Sequence, residues 1–185
     1  PMDGLKYKFI VVSPQHPGGW GWQAGHLNYQ IKYMVDNYRV DTSRIYTTGI
    51  SAGGAGVFGY NIHYDYDLGT TVTPFYKPAA SVPFAPANSS PSQSNANVAV
   101  ADSIRFWGLG GALDGYGDVL STMSTLMNNT KPGIARVTRY PGSHCCWGSY
   151  YNPTYRESIK KADSSSTVSM NIYEWMLQFA RTDVG

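Results

Sequence analysis

The stretch Arg44-Ile45-Tyr46-Thr47-Thr48-Gly49-Ile50-Ser51-Ala52-Gly53-Gly54-Ala55-Gly56 reads as a short β-strand running into a glycine-flanked serine and then a helix. Ile45, Tyr46, Thr47 and Thr48 are β-branched or aromatic, the types that fit a buried, pleated strand. Asp41-Thr42-Ser43 ahead of them is turn chemistry. After Ser51, the residues Ala52, Ala55, Val57, Phe58 and Ile62 give a small-then-large helix face to set against a sheet. A strand-to-helix turn this sharp holds a serine hydroxyl exposed, and needs glycine where the backbone passes too close for a Cβ. In a chain with 20 glycines the bare Gly-x-Ser-x-Gly pattern arises easily by chance, so its context must carry the reading. The competing reading is a glycine-rich turn with a surface serine. The stronger one requires a histidine and an acid elsewhere in the chain.

The chain has 185 residues, 42% of them hydrophobic, enough for one domain over 1–185 with a sizeable core. Its net charge of +2 and only 14% charged residues give no case for a nucleic-acid partner. No basic run suggests a membrane surface and no apolar run reaches spanning length, so no membrane partner is expected. Fifteen tyrosines and five tryptophans among many Ser, Asn and Gly residues make an uncharged polar surface. That style is read as extracellular or periplasmic. The start at Pro1 carries no charged or apolar leader, as in a domain fragment or processed product. The two cysteines, Cys145 and Cys146, are adjacent and cannot staple distant parts of the fold. A vicinal disulfide competes here with two buried thiols or with partners outside the chain, the latter pair being preferred. Two such ligands are too few for a structural zinc site, and no metal or organic cofactor is implied.

Short apolar or β-branched runs alternate with helical spacing, which predicts an α/β fold: a mostly parallel sheet flanked by helices. The strand candidates are Phe9–Val12, Ile45–Thr48, Ala80–Phe84, Ile104–Leu109 and Ala135–Tyr140. The continuous apolar run Phe9–Val12 suits a strand covered on both faces. Helices are expected around Leu27–Tyr38, from Ala52 to about Ile62, over Val119–Met127 and over Ile172–Ala180. Pro86–Asn97 and Lys161–Thr167, rich in Ser, Asn, Pro or Gln, are expected as loops.

With this kind of elbow the catalytic triad runs serine, carboxylate, histidine along the chain. Of the four histidines only His144 lies far downstream of Ser51, and Tyr140-Pro141-Gly142-Ser143-His144 puts it just beyond a strand. An imidazole there could take the serine proton and return it to a leaving group. Asp114 is the first carboxylate past the preceding strand, in Gly110-Gly111-Ala112-Leu113-Asp114, and Asp118 the next. Asp114 is preferred as the orienting acid, because Asp118 opens the Val119–Met127 helix and suits a cap.

Ser51 in Gly49-Ile50-Ser51-Ala52-Gly53, Asp114 after Gly110-Gly111, and His144 after Pro141-Gly142 together resemble α/β-hydrolase serine esterases. The group is similar to polyhydroxyalkanoate depolymerases and to feruloyl and acetylxylan esterases that are secreted; prolyl-oligopeptidase-like hydrolases are more distant. Val12-Ser13-Pro14-Gln15 and Val40-Asp41-Thr42-Ser43-Arg44-Ile45-Tyr46 also look like that group. The resemblance implies an acyl-enzyme on Ser51, His144 as general base, Asp114 as orienting acid, and the Ala52 N–H in an oxyanion hole. It implies a small-molecule or polymer-linked ester as substrate. Two departures stand out. The family's histidine-glycine loop is absent, so the fold is expected to lack its N-terminal strands and with them the second oxyanion donor. Losing one such donor costs on the order of a hundredfold to a thousandfold in rate. Gly110 stands where relatives often carry a histidine.

Trp20, Trp22 and Trp147, with Gln15, are the candidate substrate contacts, since rigid aromatics beside a triad can stack on sugar or phenolic rings. A buried tryptophan in the core is the bland alternative for each. Two other functions compete with the esterase: a prolyl-oligopeptidase-like serine peptidase, and a non-catalytic hydrolase-fold module that binds polysaccharide.

Overall fold

The computed structural model describes residues 8–16, 18, 22–162 and 165–183. Helix α1 (Ala24–Asn37) precedes strand β1 (Tyr46–Ile50), helix α2 (Ala52–Asn61), a small hairpin of β2 (Tyr64–Asp65) and β3 (Thr70–Thr71), and strand β4 (Ala80–Phe84). Then come helix α3 (Gln93–Ala101), strand β5 (Arg105–Gly111), helix α4 (Gly115–Thr130) and strand β6 (Ala135–Tyr140). A short helix α5 (Trp147–Tyr151), a hairpin of β7 (Glu157–Lys160) and β8 (Thr167–Met170), and helix α6 (Ile172–Met176) close the described chain. The central sheet has the order β1-β4-β5-β6, and every neighbouring pair is parallel.

Two layers cover this sheet, and the alternation of side chains along β5 shows how. Trp107 and Leu109 point to one face, where they meet Val82, Phe84, Tyr140, Met170, Ile172 and Trp175. Phe106 points to the other, into a cluster of Phe58, Ala96, Leu120, Met123 and Met127 from α2, α3 and α4. A period of two along the strand therefore serves two cores at once. Pro83 lies inside β4, where proline removes a ladder donor. The β4–β5 register accommodates it, running through Ala80–Arg105, Ser81–Phe106 and Phe84–Leu109 and skipping Val82 and Pro83.

Three expectations are corrected, and one hairpin goes beyond them. Residues 9–12 form no strand; they are 40–79% exposed, and the Phe9 ring lies edge-on to Tyr46. No strand among the described residues pairs with them, and an apolar run without a ladder or a covering layer has nothing to hold it as one. Residues 86–97 are not loop throughout, because α3 starts at Gln93. The Ser92 hydroxyl accepts the Asn95 N–H, and Ala96 and Ala99, three apart, bury against α4. The β7–β8 hairpin was not anticipated, since only Ile159 and Met170 of its residues are buried. Regular helix in the last segment stops at Met176, although Phe179 still packs on the Trp175 ring. That helix opens on a capping box in which Asn171 and Glu174 satisfy each other's backbone N–H.

Candidate active site

The turn between β1 and α2 is held from below. Asp41 Oδ1 accepts the Ser43 N–H and starts a single 3₁₀ turn over Thr42–Arg44, which delivers the chain into β1. At the strand's end Ser51 adopts φ 53° and ψ −113°, a conformation that L-residues rarely take. Its own N–H donates to the Phe84 carbonyl of β4 at 3.0 Å, and its carbonyl accepts from Ala55 and Ala87. Two glycines make this crossing sterically feasible. A Cβ on Gly49 would come within 2.4 Å of the Gly53 carbonyl oxygen, and one on Gly54 within 2.4 Å of the Phe84 carbonyl oxygen. Ala52 opens α2, so its N–H belongs to the first turn, whose donors have no acceptor within the helix.

His144 sits on the loop after β6 and reaches across two strands to this serine. Its Nε2 lies 2.8 Å from Ser51 Oγ, and its Nδ1 lies 2.8 Å from Asp114 Oδ2. An ionised carboxylate only accepts, so Nδ1 carries the proton and Nε2 is left to accept from the serine hydroxyl. Asp114 is only 5% exposed, whereas His144 is 36% exposed, so the relay runs from a shielded acid towards an open face. The sequence expectation of a cap at Asp118 is corrected. Asp114 itself caps α4, its Oδ1 accepting the Tyr116 N–H, while Asp118 points outward and pairs with Arg139. One carboxylate thus serves both helix and imidazole.

The loops that carry Asp114 and His144 are laced together. Ala112 N–H donates to the Tyr140 carbonyl at 2.7 Å and Leu113 N–H to the Gly142 carbonyl at 2.9 Å. Gly111 lies so close to the histidine loop that a Cβ would meet the Ser143 carbonyl oxygen at 2.2 Å. Gly110 faces α4; a Cβ there would meet Gly117 Cα at 2.7 Å. Beyond the histidine, Cys145 and Cys146 are joined in a vicinal disulfide, where buried thiols or outside partners were preferred. Cys146 is exposed, and neither sulfur is free. The Tyr140 hydroxyl donates to the Cys145 carbonyl at 2.9 Å. Burial first, then the nearby Tyr150 and Asp114, pushes that phenol up to about 12, so it stays a donor through neutral pH.

Two aromatic rings flank the imidazole. Trp147 stands edge-on to His144 with ring centres 5.0 Å apart, and Tyr116 does so at 5.3 Å. Tyr116 was missed from the sequence; its only signal was a place two residues past the acid. Trp22 packs its stem against Gly56, where a Cβ would come within 2.4 Å of it, and so lies along α2. Gln15 is exposed, and Trp20 lies outside the described residues. Among the described residues no group of three His, Cys, Asp or Glu side chains could hold a metal ion, and no helix is long and apolar enough to cross a membrane.

No family model matches the sequence, and the comparison with curated proteins found no match. Among solved structures the chain is similar to a ferulic acid esterase, at 18% identity and a TM-score of 0.47, over 65% of this chain and 53% of that one. It is similar to a point variant of SOBER1 from Arabidopsis thaliana, at 12% identity and a TM-score of 0.47, over 66% and 55%. A feruloyl esterase module from Clostridium thermocellum is also similar, at 14% identity and a TM-score of 0.46, over 68% and 54%. The chain spans a little over half the length of each.

Proposed function

We propose that the chain carries the active site of a serine hydrolase of the α/β-hydrolase kind that cleaves carboxylic esters. The observation that carries this reading is the unbroken run from Ser51 Oγ through the His144 ring to Asp114 Oδ2, with both hydrogen bonds at 2.8 Å. Ser51 Oγ attacks the ester carbonyl carbon while His144 Nε2 removes its proton. The carbonyl oxygen takes up the negative charge and the Ala52 N–H donates to it. Collapse breaks the bond to the alcohol oxygen, which leaves with the proton held on Nε2. A water then attacks the acyl-Ser51 carbonyl, giving its proton to Nε2, and the carboxylic acid departs as Ser51 regains its hydrogen. Asp114 holds the productive tautomer and balances the imidazolium formed in each half-reaction.

No metal or cofactor enters this sequence of steps. The open face beside Trp147 and Tyr116 suits a small or polymer-linked ester, with Gln15, Trp20 and Trp22 as further candidate contacts. A disulfide next to the site supports an extracellular or periplasmic location, where such bonds persist.

Hydrolysis of p-nitrophenyl acetate and labelling by a fluorophosphonate probe test this, each in the wild type and in Ser51→Ala. Activity and labelling lost together in the variant support the proposal. Turnover of a proline-linked chromogenic peptide without ester turnover would replace it with a peptidase. Identical behaviour of both proteins, with retained polysaccharide binding, would replace it with a binding module.

A further inference from the structure

Arg139 is the penultimate residue of β6, five residues before His144, and its guanidinium crosses to the loop that bears Asp114. Nη2 donates to the Gly111 carbonyl at 2.7 Å, to Ala112 at 3.1 Å and to Asp114 at 3.2 Å. Nη1 donates to Asp118 Oδ1 at 2.7 Å and to Ser121 Oγ at 3.3 Å. Three carbonyls within four residues thus converge on one nitrogen. Room for the group comes from Gly117, where a Cβ would sit 2.6 Å from the Arg139 Cζ. Gly117 in turn fills the space above Gly110, so a file of two glycines lets the guanidinium lie flat under the start of α4.

This arrangement does something the backbone ladder does not. The Ala112 and Leu113 N–H groups tie one side of the acid loop to the histidine loop, while the Asp114 N–H turns back to the Gly111 carbonyl. Gly111 and Asp114 each already accept a backbone N–H through their carbonyl, from Asp114 at 3.1 Å and from Gly117 at 2.9 Å, and Arg139 adds a charged donor to both and to Ala112. A planar, permanently charged fork holds these carbonyls, Asp118 and Ser121 in one fixed geometry, which the compact, rotatable ammonium of lysine does not impose. Asp118 is 77% exposed, so its ion pair with Arg139 contributes little by itself.

We infer that Arg139 is a positioning residue for the triad, fixing the Asp114 carboxylate against His144 by clamping the carbonyls of the acid loop. The inference rests on the esterase reading for its kinetic test, but not for its spectroscopic one. In Arg139→Met the loop keeps its backbone ties but loses the clamp, and a displacement near 1 Å at a reacting group costs about a hundredfold in rate. The expected result is a kcat for p-nitrophenyl acetate lowered by roughly ten- to a hundredfold, with KM nearly unchanged and the acid limb of the pH profile displaced. Arg139→Lys restores part of kcat, and Asp118→Asn leaves kcat at the wild-type level. The low-field proton resonance of the His144 Nδ1–H to Asp114 bond should be present in the wild type and lost or broadened in Arg139→Met.

A folded Arg139→Met protein with wild-type kcat, pH profile and low-field proton would overturn the inference, whatever its melting temperature. So would an Asp118→Asn variant as impaired as Arg139→Met, because the ion pair would then be the active element. If the wild type shows no Ser51-dependent ester hydrolysis, the proposed function fails, and the low-field proton alone decides on the clamp.

Discussion

Asp114 accepts the Tyr116 backbone N–H at 3.0 Å through the oxygen that does not face His144. The two tasks of this carboxylate separate under substitution. Asparagine retains an oxygen for the cap but can present an N–H to the imidazole and favour the wrong tautomer. Asp114→Asn should lower kcat on the order of ten-thousandfold while leaving the melting temperature nearly unchanged. Asp114→Ala should lose activity as well and also cost about 1 kcal/mol of stability, read by denaturant titration.

The glycines of the elbow are unequal, and their order can be forecast. Gly49 and Gly54 each face a backbone carbonyl at 2.4 Å, an atom that cannot swing aside. Alanine at either position should destabilise the fold by about 3 kcal/mol or more. At Gly53 the nearest atom is Trp22 Nε1 at 3.9 Å, an ordinary contact. Gly53→Ala should therefore be neutral or stabilising by up to about 1 kcal/mol, from helix propensity. Thermal melts of the three variants check the ranking.

Acid stability should depend on a pair of contacts far from the site. Asp102 is 6% exposed and is bonded by His63 and by the Lys77 ammonium, while Arg181 donates to its backbone carbonyl. Burial pushes its carboxyl up, but the bonds from His63 and Lys77 outweigh that and hold it below the ordinary value of 3.8. A depressed folded-state value means stability that is present above 3.8 and lost as the pH falls below it. Melting temperatures should show Asp102→Asn less stable than the wild type at pH 7, the gap closing below about pH 4.

Reduction should act on activity rather than on the fold. The disulfide links residues 145 and 146, directly beside His144, and closes almost no loop in the unfolded chain. A phosphine reductant, or Cys145→Ser with Cys146→Ser, should lower kcat while moving stability by less than about 1 kcal/mol. A large fall in melting temperature with kcat intact would refute this.

Much of the fold was legible because its signals are local. The strands over residues 80–84 and 135–140 match their observed limits, being apolar or β-branched runs fenced by turn residues. The positions of Ser51, Asp114 and His144 followed from chain order, which a parallel sheet converts into neighbouring loops. What escaped was set by tertiary contact. Nothing local to Asp114 says that it will cap α4 as well as face an imidazole, because both partners arrive only when β5 and β6 pair. The α3 helix was hidden by a polar composition whose two buried alanines matter only against α4. Residues 9–12 mislead in the opposite sense, since apolar pattern predicts burial but cannot supply the neighbours that bury it.

The backbone at Ser51 has a further implication for anyone who evolves this protein. A residue held at φ 53° and ψ −113° forgoes on the order of 1–3 kcal/mol relative to a relaxed turn. Glycine would recover part of that, so a library screened for heat resistance alone would drift towards losing the hydroxyl. On the proposed reading of Ser51 as the nucleophile, thermostability and reactivity compete at a single φ angle. A selection that does not demand turnover in every round would be rewarded for dismantling the site.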